Sequence, residues 1–131
     1  MALFVHLAPE PKLKAILRNG IAPTVWQPDP RGHSQLDRVV WAFPVLASYT
    51  ITHSWARELK RFGRTTLAAI TFRIGDDEPV FARHYGREPV VRTAAKDVAM
   101  IGDVEDARGY EVMIPRRIKP GENVRSRVLS Q

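Results

Sequence analysis

The sequence predicts an α+β domain: a mainly antiparallel, mixed sheet of about six strands with two to three helices. Three observations predict it. Apolar, β-branched and aromatic residues come in short runs of strand length. Interleaved with them are segments whose apolar residues recur at helical spacing. Ten prolines in 131 residues punctuate the chain too often for a helical bundle. Residues 1–131 are expected to form a single domain, long enough to bury roughly two-thirds of the unfolded surface.

Each element has a local reason. Residues 2–7 form a first strand ending at His6-Leu7. Pro9 and Pro11 break it and open a helix. Leu13, Ile16 and Leu17 then define a buried face, and Asn19-Gly20 stops the helix because both residues tolerate a left-handed backbone. Residues 22–37 are Pro-rich and polar, and read as a long loop. Residues 38–46 are apolar on both faces and read as a central strand. Thr52 or Ser54 caps a second helix with Trp55, Leu59 and Phe62 on one face, ended by Gly63. Residues 66–74 and 79–85 are two strands joined at Gly75-Asp76-Asp77, a turn signal. Thr93 caps a short helical turn reaching Met100. Residues 109–114 and 124–129 are the last strands.

Composition narrows the chemistry. The chain has no cysteine, which excludes disulfides, thiolate catalysis and Cys-based zinc sites. Its four histidines are scattered, so no metal site is expected. No serine lies in a Gly-x-Ser-x-Gly elbow, and no Gly-rich phosphate loop is present. No apolar run reaches the ~20 residues of a membrane span. The N-terminus lacks the pattern of a signal peptide. A cytoplasmic location is the expectation, or a host cell if the protein is delivered there. The net charge of +6 favours polyanionic partners. The basic residues gather in two segments: Arg57, Lys60, Arg61 and Arg64, then Arg116, Arg117, Lys119, Arg125 and Arg127. Solvated faces are the plainer account of both.

Four residues stand out as candidates. Glu111 interrupts a run that otherwise reads as buried, Tyr110-Glu111-Val112-Met113-Ile114. A carboxylate there needs a cationic partner, such as Arg38 or Arg108, or a cleft to face. His6 ends the first strand, where it is either a ligand-binding group or a hydrogen-bonded core residue. Trp41 and Phe43 share one face of the central strand, either as packing or as a ring-binding platform.

Taken together, these pieces resemble the ADP-ribosyltransferase superfamily. Phe4-Val5-His6-Leu7 followed by Leu13-Lys14-Ala15-Ile16-Leu17-Arg18-Asn19-Gly20-Ile21 is similar to the start of the small bacterial transferases. Tyr110 to Pro115 with Arg117-Ile118-Lys119-Pro120 is similar to the strand of the catalytic glutamate in the DNA-targeting toxin branch. The resemblance implies a split sheet that clamps NAD, used as a substrate. It assigns His6 to the adenosine-side ribose and the backbone of Leu7 to the nicotinamide amide. It assigns Trp41 to stacking on nicotinamide, with Phe43 and Tyr49 as other aromatics near that role. Glu111 is then the catalytic residue, stabilising the positive charge that builds on the ribose as nicotinamide leaves. The acceptor is a macromolecule, with DNA or RNA suggested by the basic surface. A toxin-like role, with an antitoxin or immunity partner, is a further implication.

Two other readings use the same residues differently. An RNA 2′-phosphotransferase-like enzyme would share the fold and consume NAD, but needs a second histidine near the first. A non-catalytic basic module, binding nucleic acid or protein, needs no convergence of His6, Trp41 and Glu111.

Overall fold

The computed structural model describes residues 1–25, 38–45, 66–84, 90–103 and 110–129. The strands are β1 (Ala2–Pro9), β2 (Thr24–Val25), β3 (Arg38–Pro44), β4 (Leu67–Ile74), β5 (Pro79–His84), β6 (Val90–Thr93), β7 (Tyr110–Ile114) and β8 (Asn123–Leu129). Helix α1 spans Leu13–Asn19 behind a 3-10 turn at Glu10–Lys12, and α2 spans Ala94–Asp103. The expected helix around Trp55, Leu59 and Phe62, and Tyr49, lie outside the described residues.

The strands form one sheet in the order β6-β5-β7-β3-β1-β4-β8, with β2 paired to β3. The α+β class and the antiparallel sheet agree with the sequence. The mixed character does not, because every pairing among the described residues is antiparallel. Two short strands also went unread. β2 falls inside the segment expected to be loop, and β6 precedes the expected cap at Thr93. Thr93 does cap α2, its Oγ1 accepting from the Lys96 amide at 3.3 Å. The helix runs on past Met100 to Asp103.

β1 and β4 are central and almost wholly buried. Phe4, Ile70, Phe72 and Ile74 are inaccessible to solvent, and the Phe4 and Phe72 rings stack at 6.0 Å. Each such side chain stabilises the fold by roughly 1.5–3 kcal/mol through burial. Alternation sends β1 in two directions. Phe4 and Ala8 join the main core with Ile16 of α1 and Ala94 and Ile101 of α2. Val5 and Leu7 join a second cluster on the opposite face, with Phe43, Leu67 and Ala69. In α1 only Ile16 is buried; Leu17, expected on the buried face, is half exposed. A helix of two turns seats a single ridge against the sheet.

The turn between β4 and β5 also serves α2. The Glu78 carbonyl accepts from the Ala94 amide at 2.8 Å, and the Asp76 carbonyl from the Ala95 amide at 3.0 Å. These satisfy amides that a helix start leaves without intrahelical partners. Among the described residues, no helix is long and apolar enough to cross a membrane.

Candidate functional site

β1 is paired unevenly. It matches β4 at eight positions, from Ala2↔Ile74 to Pro9↔Leu67. It matches β3 at Phe4↔Pro44 and Val5↔Phe43 only. Beyond Val5 the two strands part, and Arg38 and Val39 of β3 pair with β2 instead. The sheet is therefore split along the second half of β1.

His6 stands where the split begins. Its Nδ1 lies 2.7 Å from the Trp41 carbonyl oxygen. A carbonyl can only accept, so Nδ1 carries the proton and donates. In the neutral ring Nε2 is then a bare acceptor. The neutral ring is favoured: burial pushes the His6 pKa below its ordinary value, the Trp41 hydrogen bond opposes this, and the charge of Lys12 adds to the lowering.

Beside the split is a recess of about 1010 Å³. His6 to Pro9 of β1 form one wall, α1 and its entry turn a second, and Gly20, Ile21, Ala22 and Thr24 with Arg117 and Pro120 a third. Among the described residues that line it, Lys12, Arg18 and Arg117 are cations and none is a carboxylate. Such a site suits an anionic ligand that also offers a hydrogen-bond donor to His6 Nε2 and apolar surface to Ile16 and Ile21.

The two ends of the chain close the recess together. The Ile21 amide donates to the Ile118 carbonyl at 2.8 Å, and the Ile118 amide returns a bond to Ile21 at 3.0 Å. Gly20 enters this contact at φ +85°, and a Cβ there would collide with the Ile118 carbonyl. The glycine is thus needed for both its backbone conformation and its small size. Arg117 donates from Nη1 to the Asn19 carbonyl at 3.0 Å, satisfying the end of α1. Ile118 is fully buried.

The other candidates are placed as follows. Leu7 borders the recess and also packs in the second cluster. Trp41 and Phe43 do not line the recess. They meet edge-on at 6.3 Å and pack with Val5, Leu7 and Leu67 on the opposite face. Glu111 falls in β7, in register with Arg83 of β5. Its side chain, and Arg108, lie outside what is described.

Arg116 departs from the expectation of a basic surface. Its Nε and Nη2 bind the Glu78 carboxylate at 2.7 and 2.8 Å. Nη1 and Nη2 bind Glu122 at 2.8 and 2.7 Å, and Nη1 also binds the Arg117 carbonyl at 2.8 Å. A guanidinium has five N–H donors, and these contacts occupy all of them. The arrangement holds Glu122 below the usual carboxylate range, chiefly through Arg116.

Sequence reasoning missed Lys12, Arg18, Gly20, Ile21, Ala22 and Thr24 as parts of a site. Only Asn19-Gly20 carried a local signal, as a helix stop. Compared with family models, curated proteins and solved structures, the chain matches none.

Proposed function

We propose that this protein is an NAD-dependent ADP-ribosyltransferase that binds NAD across the split in its sheet. The observation that carries this reading is His6. It sits where β1 leaves β3, with Nδ1 tied to Trp41 and Nε2 left to accept, beside a recess whose described lining holds Lys12, Arg18 and Arg117 and no carboxylate. A ribose hydroxyl donates to an acceptor of this kind, and a pyrophosphate suits Lys12, Arg18 and Arg117. Leu7 borders both the recess and the cluster of Trp41 and Phe43. The nicotinamide end of the ligand then passes Leu7 to reach the aromatic side of the split.

In this reading the bond between nicotinamide nitrogen and ribose breaks, and its electron pair leaves with nicotinamide. The ribose carbon gains positive charge, which Glu111 stabilises. The acceptor nucleophile bonds to that carbon and loses its proton. Glu111→Gln tests the assignment. Release of nicotinamide should fall by roughly 10²-fold or more, with NAD affinity and melting temperature little changed. A destabilised but fully active variant would make Glu111 a structural residue.

A further inference from the structure

The three cations that line the recess are not one cluster. Lys12 ends the 3-10 turn ahead of α1, and Arg18 follows in the last turn of the helix. At about 1.5 Å of rise per residue, their backbones stand about 9 Å apart along the helix axis. Arg117 belongs to the Arg18 end, because its Nη1 is held 3.0 Å from the carbonyl oxygen of Asn19. Lys12 belongs to the His6 end, where its charge opposes protonation of the ring. All three residues are exposed to solvent. Among the described residues, no carboxylate lines the space between the two ends.

This division matters for the ligand. The two phosphates of a pyrophosphate share one bridging oxygen, so the group is compact. It engages the cations of one end closely and meets the charge of the other only at a distance. Arg18 and Arg117 make the better seat, since guanidinium groups bind phosphate oxygens in pairs. Lys12 is then left beside His6 as an unmatched point charge, in the part of the recess where NAD places a neutral ribose. That ribose has two adjacent hydroxyls, and one of them suffices for His6 Nε2. A phosphate on the other adds about 1.5–2 negative charges at neutral pH. The flexible stem of a lysine lets its ammonium follow such a group.

We propose, on the reading of His6 as the ribose-binding residue, that the recess selects a dinucleotide with a 2′-phosphate on its adenosine-side ribose, NADP over NAD. Lys12 is the residue that sets the preference. Arg18 and Arg117 serve both ligands alike, because both carry the pyrophosphate.

Calorimetric titration of the full chain with NAD and with NADP, at one low salt concentration, is the test. NADP should bind at least about tenfold more tightly, the scale of one added charge-assisted contact. Lys12→Gln should lower NADP affinity by about tenfold and NAD affinity by no more than about twofold, so that the preference disappears. Lys14→Gln removes the same charge from an exposed position of α1 that does not line the recess. It should leave the ratio of the two affinities within about twofold of its original value. NAD binding with no preference for NADP would overturn the proposal and leave the NAD site standing. Loss of the preference in Lys14→Gln as well would also overturn it, because attraction by the basic chain as a whole would then account for it. Equal losses of both affinities in Lys12→Gln would do the same, by placing Lys12 on the pyrophosphate. Failure of both ligands to bind at millimolar concentration would remove the His6 reading and the preference with it. The comparison of ligands on the unaltered protein needs no variant, and circular dichroism melts establish that both variants are folded.

Discussion

Arg116 and Arg117 are neighbours in the chain and opposites in the structure. Arg116 uses every donor on Glu78, Glu122 and one carbonyl. Arg117 makes one bond to the Asn19 carbonyl and lines the recess. The first is a fastener between the β4–β5 turn and the segment before β8. The second caps a helix and leaves positive charge facing a cavity. A run of basic residues is therefore not one surface. What separates the two is whether the fold brings carboxylates to them.

The junction both arginines flank is where the largest stability effect is expected. Gly20→Ala forces a Cβ into the Ile118 carbonyl and an alanine into φ +85°. A loss on the order of 4 kcal/mol, measured by denaturant unfolding, is expected for such a backbone collision. A loss under 1 kcal/mol would mean that the two chain ends are not held together as described.

A third arginine extends the contrast. Arg92 reaches buried Asp97 at 3.5 Å, but neither Asp97 oxygen has a hydrogen-bond partner among the described residues. Burial pushes the Asp97 pKa up to about 6, with Arg92 opposing. The folded value lies above the unfolded one, so its contribution is present at low pH and lost as pH rises. The window runs from 3.8 to about 6. At 1.36 kcal/mol per pH unit the loss is roughly 3 kcal/mol as an upper bound. Glu122 has the opposite sign: its lowered pKa gives stability above the ordinary carboxylate range that is lost as pH falls through the folded value. Asp97→Asn should flatten the profile between pH 4 and 6.5. A profile unchanged by the substitution would show that Asp97 is hydrated or well paired.

Arg116→Ala should cost about 2 kcal/mol, less than for a fully buried pair because its site is partly open to solvent. Arg117→Ala should cost under about 1 kcal/mol in stability and a few-fold in NAD affinity. Urea titrations of both variants compare them directly. Equal losses would erase the distinction between fastener and rim.

Local signals made much of the fold legible. Apolar runs marked β1, β3, β4 and β7, Asn19-Gly20 marked the end of α1, and Thr93 marked the start of α2. β2 and β6 were missed because they are too short to show a period, and their partners supply the pairing. The site was less legible, since its defining contacts are long-range. Glu78 is 38 residues from Arg116, and Ile118 pairs with Ile21 across most of the chain. The partner of His6 is a backbone carbonyl, which carries no residue identity for a sequence to display. The sequence singled out His6 and Trp41 separately, and the fold joins them through main chain, with the indole on the opposite face.

The central claim is that the recess at the split holds NAD through His6. Calorimetric titration with NAD tests it most directly, on the unaltered protein and on His6→Ala. The account predicts saturable one-site binding at sub-millimolar NAD, weakened about tenfold or more by the substitution, a change of about 1.4 kcal/mol. No binding at millimolar NAD, or binding indifferent to the loss of His6, would contradict it.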